Sequence, residues 1–288
     1  RQEPHADLEV DRDHAGSERL AATSGRPAAR DSLPAMSLAQ SPAAAPFLAP
    51  SLTLMIPAYN EADNLPHVLP PALDLCARAC RSAEVLVVND GSRDQTAAVL
   101  ERLVAEHGAA HPNVTLRVIT HERNQGLTAT LRTGFLAARG EVVTWTPADG
   151  QIPPSELEKI LRAYRGEDLL LSTYRHRPDG LVRAAMSRTV RILVFLATGF
   201  ADRLEGPYLF KRALLDELQL VARTSAGSIG LEIAAKAKAL GRSIGSVEIE
   251  CAPRLSGQSK VANLRNISAY LGEIWRIGRS MRSLPRRR

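Results

Sequence analysis

Short apolar runs that alternate with helical segments constrain this chain more than any other feature. Leu52 to Ile56 is closed by Pro57, and Glu84 to Val88 is closed by Asn89, Asp90 and Gly91. Val114 to Ile119 and Glu141 to Trp145 repeat the pattern. Between them lie helix-like stretches over Asn64 to Arg81, Gln95 to His107 and Leu127 to Arg139. Unbroken apolar runs belong to strands covered on both faces, and strands joined through helices run parallel. The expected fold is therefore α/β, a mostly parallel sheet with helices on both faces in a single domain.

Charge and composition mark the boundaries of that domain. Residues 1–50 hold twelve Ala and six Pro without a sustained helical or alternating pattern, so they read as a disordered leader. The formal net charge is +6, but residues 261–288 alone carry seven Arg and one acid. The body between is nearly neutral, which argues against nucleic acid as a partner and leaves a basic tail after a domain at 51–260. In that tail Leu264, Ile267, Leu271 and Ile274 follow helical spacing with Trp275 beside them, the pattern of a basic amphipathic helix at a membrane surface. Leu181 to Phe200 reads as a second amphipathic helix. The longest uncharged apolar run, Ile192 to Ala201, is ten residues, short of the roughly 18 that span a bilayer. Cys76, Cys80 and Cys251 are too few for a disulfide framework and fit a reducing compartment, with Cys76 and Cys80 as helix packing.

In open sheets of this kind ligands bind where loops leave the carboxyl ends of the strands. Strand one exits into Pro57, Ala58, Tyr59, Asn60 and Glu61, and strand two into Asn89, Asp90, Gly91 and Ser92. Strand four exits into Thr146, Pro147, Ala148, Asp149, Gly150 and Gln151. Acids, amides and an aromatic beside Gly or Pro suit a polar ligand. A Walker loop is absent and no spaced glycine fingerprint follows the first strand, which disfavours a P-loop nucleotidase and a dinucleotide oxidoreductase.

The motifs occur in a telling order: IPAYNE at 56–61, VVNDGSRDQT at 87–96, RNQGLTATLRTGF at 123–135 and PADGQIPPSEL at 147–157. LFKR at 209–212, GLEIAAKAKALG at 230–241 and RLSGQSK at 254–260 follow. Over residues 52–260 the chain resembles a family 2 glycosyltransferase of the GT-A fold, most like polyprenyl-phosphate sugar synthases of the dolichyl-phosphate mannose synthase type. The resemblance implies that Pro57, Tyr59, Glu61 and Asp90 hold the base and ribose of a nucleotide. It implies that Ala148, Asp149 and Gln151 meet the diphosphate, a metal and the sugar. It places Arg175, Arg254 and Lys260 around the donor diphosphate and the acceptor phosphate, with Asp149, Gln151 and Arg175 as the catalytic set.

The chemistry needs these residue types. A departing nucleotide diphosphate must be stabilised where water is scarce. Mg2+ or Mn2+ on a carboxylate such as Asp149 does so, and Arg and Lys take the remaining charge. The family's usual Asp-x-Asp is broken here, because Pro147 occupies the first position. Either the diphosphate supplies most of the metal's ligands or the basic residues make the metal dispensable. An ionised lipid phosphate can attack the anomeric carbon without a base, whereas a sugar hydroxyl needs one, for which Glu232 is the best-placed acid. The resemblance thus implies inverting transfer from a nucleotide diphosphate sugar to a polyprenyl phosphate, at the cytoplasmic face of a membrane. Transfer to a carbohydrate hydroxyl and non-catalytic nucleotide-sugar binding are the alternatives.

Overall fold

The computed structural model describes residues 51–175, 181–223, 228–255 and 264–284, with backbone alone for 181–187 and 264–268. The leader 1–50, Lys260 and Arg286 to Arg288 lie outside the described residues. The strands are β1 (Leu52–Ala58), β2 (Ala83–Asn89), β3 (Val114–Thr120), β4 (Val142–Trp145), β5 (Leu169–Tyr174), β6 (Leu209–Lys211) and β7 (Ile244–Ile249). They form one sheet in the order β3-β2-β1-β4-β6-β5-β7. The helices are α1 (Leu65–Ala79), α2 (Thr96–His107), α3 (Leu127–Ala137), α4 (Pro154–Ala163), α5 (Leu181–Thr198), α6 (Leu214–Leu218), α7 (Ser228–Ala239) and α8 (Leu264–Ser280).

The runs of β1, β2 and β4 became strands because both of their faces are covered, whereas β3, at the edge of the sheet, is largely half-buried or exposed, with Val118 36% exposed. Every residue of β1 and β2 is buried. Leu54, Ile56, Val85 and Val87 pack into one cluster with residues of α1, α2 and α4, while Met55, Leu86 and Val88 join a second with α3, α6 and α7. Each fully buried Leu or Ile contributes about 1.5–3 kcal/mol. Glu84, inside the second apolar run, is 5% exposed. It is tolerated because it accepts hydrogen bonds from Thr53 Oγ1 at 2.8 Å and the Arg139 amide at 3.1 Å and pairs with Arg117.

The topology decides where a site can lie. β1 pairs in parallel with β2 and β4, β2 with β3, and β5 with β7. β6 is antiparallel to both β4 and β5, so it restores the direction and leaves β5 running with β4. The carboxyl ends of six strands therefore share one edge of the sheet.

The two amphipathic helices form as the spacing predicts, but their apolar faces are divided differently. α8 packs against α5 and α7. Ile274 and Ile277 are buried in the second cluster, so Ile274 belongs to the core and not to an outward stripe. Leu271 and Trp275 of α8 are 39% and 65% exposed, and Ile192, Phe195 and Leu196 of α5 are exposed as well. Leu264 and Ile267 lie where side chains are not described. No described helix is long and apolar enough to cross a membrane.

Candidate active site

The exits of β1 and β2 are tied into one unit. Asn60 takes φ of 55°, which turns its amide to Ser92 Oγ at 3.0 Å and lets its Oδ1 accept from the Arg93 amide at 2.9 Å. The Glu61 amide donates to Thr96 Oγ1 at 2.9 Å, and the Glu61 carboxylate accepts from Asn64 Nδ2 at 2.6 Å. Burial pushes the Asp94 carboxyl up, but hydrogen bonds from Thr96 and Ala62 outweigh it and hold the group below its ordinary value. Tyr59 and Glu61 are thus placed, half-buried, beside Asp90 at the neighbouring strand end. Pro57 is buried within β1 opposite Val88, and Ala148 is buried as well, so both contribute backbone and shape to the edge.

Asp90 is 2% exposed and organises the loop after β3. Its Oδ1 accepts from His121 Nδ1 at 2.7 Å and from the Gln125 amide at 2.9 Å, while Oδ2 accepts from the Gly126 amide at 2.8 Å. His121 Nε2 lies 3.0 Å from Thr133 Oγ1 on α3. Beside Asp90, Gly91 has φ of +62°, and a Cβ there would fall 2.4 Å from the backbone carbon of Arg123. Only glycine allows the two loops to close on one another.

The exit of β4 carries the acid that defines the site. Asp149 is 7% exposed, its Oδ1 accepts from the Gln151 amide at 3.1 Å, and its Oδ2 lies 3.4 Å from Arg254 Nε. The exit of β7 returns across this loop: the Ala252 amide donates to the Gln151 carbonyl at 2.8 Å and the Leu255 amide to the Asp149 carbonyl at 3.1 Å. Gly150, at φ of +73°, leaves room for Leu255, whose Cδ1 would be 2.4 Å from a Cβ there. Gln151 Nε2 lies 3.7 Å from the exposed Cys251 Sγ. Arg175, at the end of β5, is 58% exposed and 3.8 Å from Glu248 on β7. β5 is two strand spacings from β4, about 10 Å, so Arg175 stands to the side of Asp149 on the same edge.

Of the residues expected at the site, the structure brings Asp149, Gln151 and Arg254 into one contact network and sets Tyr59, Glu61, Asp90 and Arg175 along the same edge. Lys260 lies outside the described residues. Glu232 is not at a surface at all. It is 0% exposed, accepts from the Val221 and Ala222 amides at 2.7 Å each, and pairs with the buried Lys236 at 2.6 Å. No substrate hydroxyl can reach a carboxylate so enclosed. His121, which the sequence alone does not single out, joins the site as the partner of Asp90. Cys76 and Cys80 are buried as expected, and burial raises the Cys80 thiol to about 12.

Asp149 offers hard oxygen, and among the described residues no group of three His, Cys, Asp or Glu gathers to hold a metal. This donor set fits a Mg2+ or Mn2+ that takes most of its oxygens from a diphosphate, and offers a cation arriving alone a single carboxylate.

A mostly parallel sheet with a single reversed strand and its polar exits along one edge is the GT-A glycosyltransferase architecture. Solved structures share it: mannosyl-3-phosphoglycerate synthase from Rubrobacter xylanophilus superposes with a TM-score of 0.57 at 21% identity, over 81% of this chain and 74% of that one. A Pyrobaculum calidifontis mannosyltransferase, solved with GDP-Man and Mn2+, gives 0.54 at 20% identity over the same shares. The family model for glycosyl transferase family 2 matches residues 53–228, and the chain belongs to that family. Among its relatives is the undecaprenyl-phosphate 4-deoxy-4-formamido-L-arabinose transferase of Pseudomonas fluorescens (strain SBW25), 31% identical over 226 residues. The counterpart from Pseudomonas aeruginosa (strain UCBPP-PA14) is 31% identical over 223 residues. The alignments cover 77% and 76% of this chain and 63% of each relative, so the chain spans less than two thirds of their length.

Proposed function

We propose that this protein is an inverting glycosyltransferase that moves a sugar from a nucleotide diphosphate sugar to a polyprenyl phosphate. The observation that carries the reading is Asp149, held at the exit of β4 under Arg254 and next to the joined exits of β1 and β2. Family membership and the names of the undecaprenyl-phosphate relatives support the same acceptor class.

In this reading Tyr59, Glu61 and Asp90 border the nucleoside, and Asp149, Gln151 and Arg254 meet the diphosphate. A Mg2+ or Mn2+ bound with the diphosphate supplies charge neutralisation for the leaving group. Arg254 adds a guanidinium to the same oxygens, and Lys260 a further positive charge. Arg175, to the side of Asp149, is placed to hold an acceptor phosphate. An ionised phosphate oxygen attacks the anomeric carbon from the face opposite the diphosphate, the bond to the diphosphate breaks, and the configuration inverts. No proton need be removed, which agrees with the absence of a free acid at Glu232. The enclosure of Glu232 is what ranks a hydroxyl acceptor second.

A lipid-linked acceptor requires a membrane surface nearby. α5 exposes Ile192, Phe195 and Leu196 at 53%, 52% and 73%, and α8 adds Leu271 and Trp275. Arg188 and Arg191 are exposed on α5, and the Arg279 guanidinium lies 5.6 Å from the Trp275 ring centre. An apolar face rimmed by arginines matches anionic lipid at a cytoplasmic leaflet. Binding to vesicles containing phosphatidylglycerol is expected to fall at least about tenfold in Phe195→Glu/Leu196→Glu, since each lost apolar contact is worth about 1.5–3 kcal/mol. Unchanged co-sedimentation would remove the membrane from the account.

The reading is tested by incubating the protein with Mn2+, radiolabelled nucleotide sugars and either undecaprenyl phosphate or undecaprenol. Label is expected in the organic phase with the phosphate only. Label carried by the alcohol, or by neither lipid, would refute it.

A further inference from the structure

We infer that Arg254 is the counter-ion of Asp149 when no donor is bound, and that this pair is a charge-operated latch which a divalent cation and a diphosphate open together. This rests on the reading of the β4 exit as the diphosphate site. Asp149 has two oxygens to offer. One is committed to the Gln151 amide and the other faces Arg254 Nε at 3.4 Å. A cation arriving alone competes with these partners for the carboxylate's lone pairs and sits within a few ångströms of a guanidinium that never loses its charge.

Pro147 makes that competition sharper, because no second carboxylate stands at the position where the family carries one. A diphosphate changes the balance. It brings several anionic oxygens, enough to ligate the cation and to give Arg254 a new bidentate partner. The backbone around Arg254 is pinned by the Ala252 and Leu255 amides and by Leu255 lying on Gly150. The exchange is therefore a swing of one side chain, which is 31% exposed and has room to move, about a fixed segment. Cation and donor bind as a unit, and the freed Asp149 and the transferred Arg254 end on opposite sides of the same phosphates.

Mn2+ binding to the full chain, followed by the loss of the free-ion paramagnetic resonance signal, tests this without reference to turnover. A partly exposed ion pair is worth up to about 1 kcal/mol, or about fivefold in affinity. Arg254→Gln is expected to bind Mn2+ alone about fivefold more tightly than the wild type, and Arg254→Lys to resemble the wild type. The gain is expected to vanish in Arg254→Gln/Asp149→Asn, and with UDP or GDP present the advantage of Arg254→Gln is expected to be lost. Equal Mn2+ affinity in wild type and Arg254→Gln, or a gain that survives Asp149→Asn, would overturn the latch. Failure of both UDP and GDP to bind the wild type with Mn2+ would instead overturn the nucleotide-site reading, while the comparison with Mn2+ alone still judges the pairing.

Discussion

Replacing Asp149 with Asn is expected to lower kcat for sugar transfer by about 10²–10³-fold, the scale seen when a group stabilising a leaving charge is removed. Asn keeps the size of the side chain and an oxygen for the Gln151 amide, so the loop geometry at 3.1 Å is retained. What is lost is the charge that attracts a divalent cation and balances Arg254. Because the Asp149–Arg254 pair is partly exposed, its removal costs at most about 1 kcal/mol of stability. Steady-state kinetics and thermal melting on the same preparation separate the two. Activity within fivefold of the wild type would remove Asp149 from the chemistry, and with it the role assigned to the exit of β4.

The largest expected loss of stability lies elsewhere, at Glu232. Both it and Lys236 are within 1% of full burial. The pair staples the loop after α6: Glu232 accepts from Val221 and Ala222, and Lys236 donates to the carbonyls of Leu218 at 2.8 Å and Gln219 at 3.0 Å. Gln219 takes φ of 45°, a conformation a non-glycine residue keeps only when its surroundings fix it. Glu232→Ala strands a buried ammonium and two amides, which costs about 3–5 kcal/mol. For a domain of this size the melting temperature is expected to fall by about 10 °C. Glu232→Leu/Lys236→Met, which removes both charges, is expected to recover the part of that loss due to the unpaired ammonium, while the Val221 and Ala222 amides stay without their acceptor. A single variant melting within 2 °C of the wild type, measured by calorimetry, would contradict the burial argument, as about 1 kcal/mol shifts melting by 2–4 °C.

How far the sequence reveals this protein depends on whether a feature is local. β1, β2 and β4 are legible because strands buried on both faces must be continuously apolar. β6 is three residues long and exists by virtue of its pairing with β4 and β5, so no local pattern marks it. Helical spacing identifies α8, but not that Ile274 and Ile277 are buried in the core while Trp275 stays outside. The acids at strand ends follow the same rule. Asp90 and Asp149 stand out by position, since parallel sheets gather ligands at their carboxyl edge. Their partners do not: His121 reaches Asp90 across 31 residues through the register of β2 with β3, and Arg254 reaches Asp149 because the exit of β7 turns back over β4. Glu232 had an acidic side chain in a suggestive motif, and its burial follows from packing of α7 beneath the loop after α6.

The most direct test of the site is a crystal structure of the protein with Mn2+ and either UDP or GDP. The account predicts a nucleoside between the exits of β1 and β2, a diphosphate and Mn2+ at Asp149, and Arg254 turned from Asp149 to the phosphates. A nucleotide bound away from the carboxyl edge of the sheet, or one that leaves Asp149 facing Arg254 with no metal between carboxylate and phosphate, would contradict it.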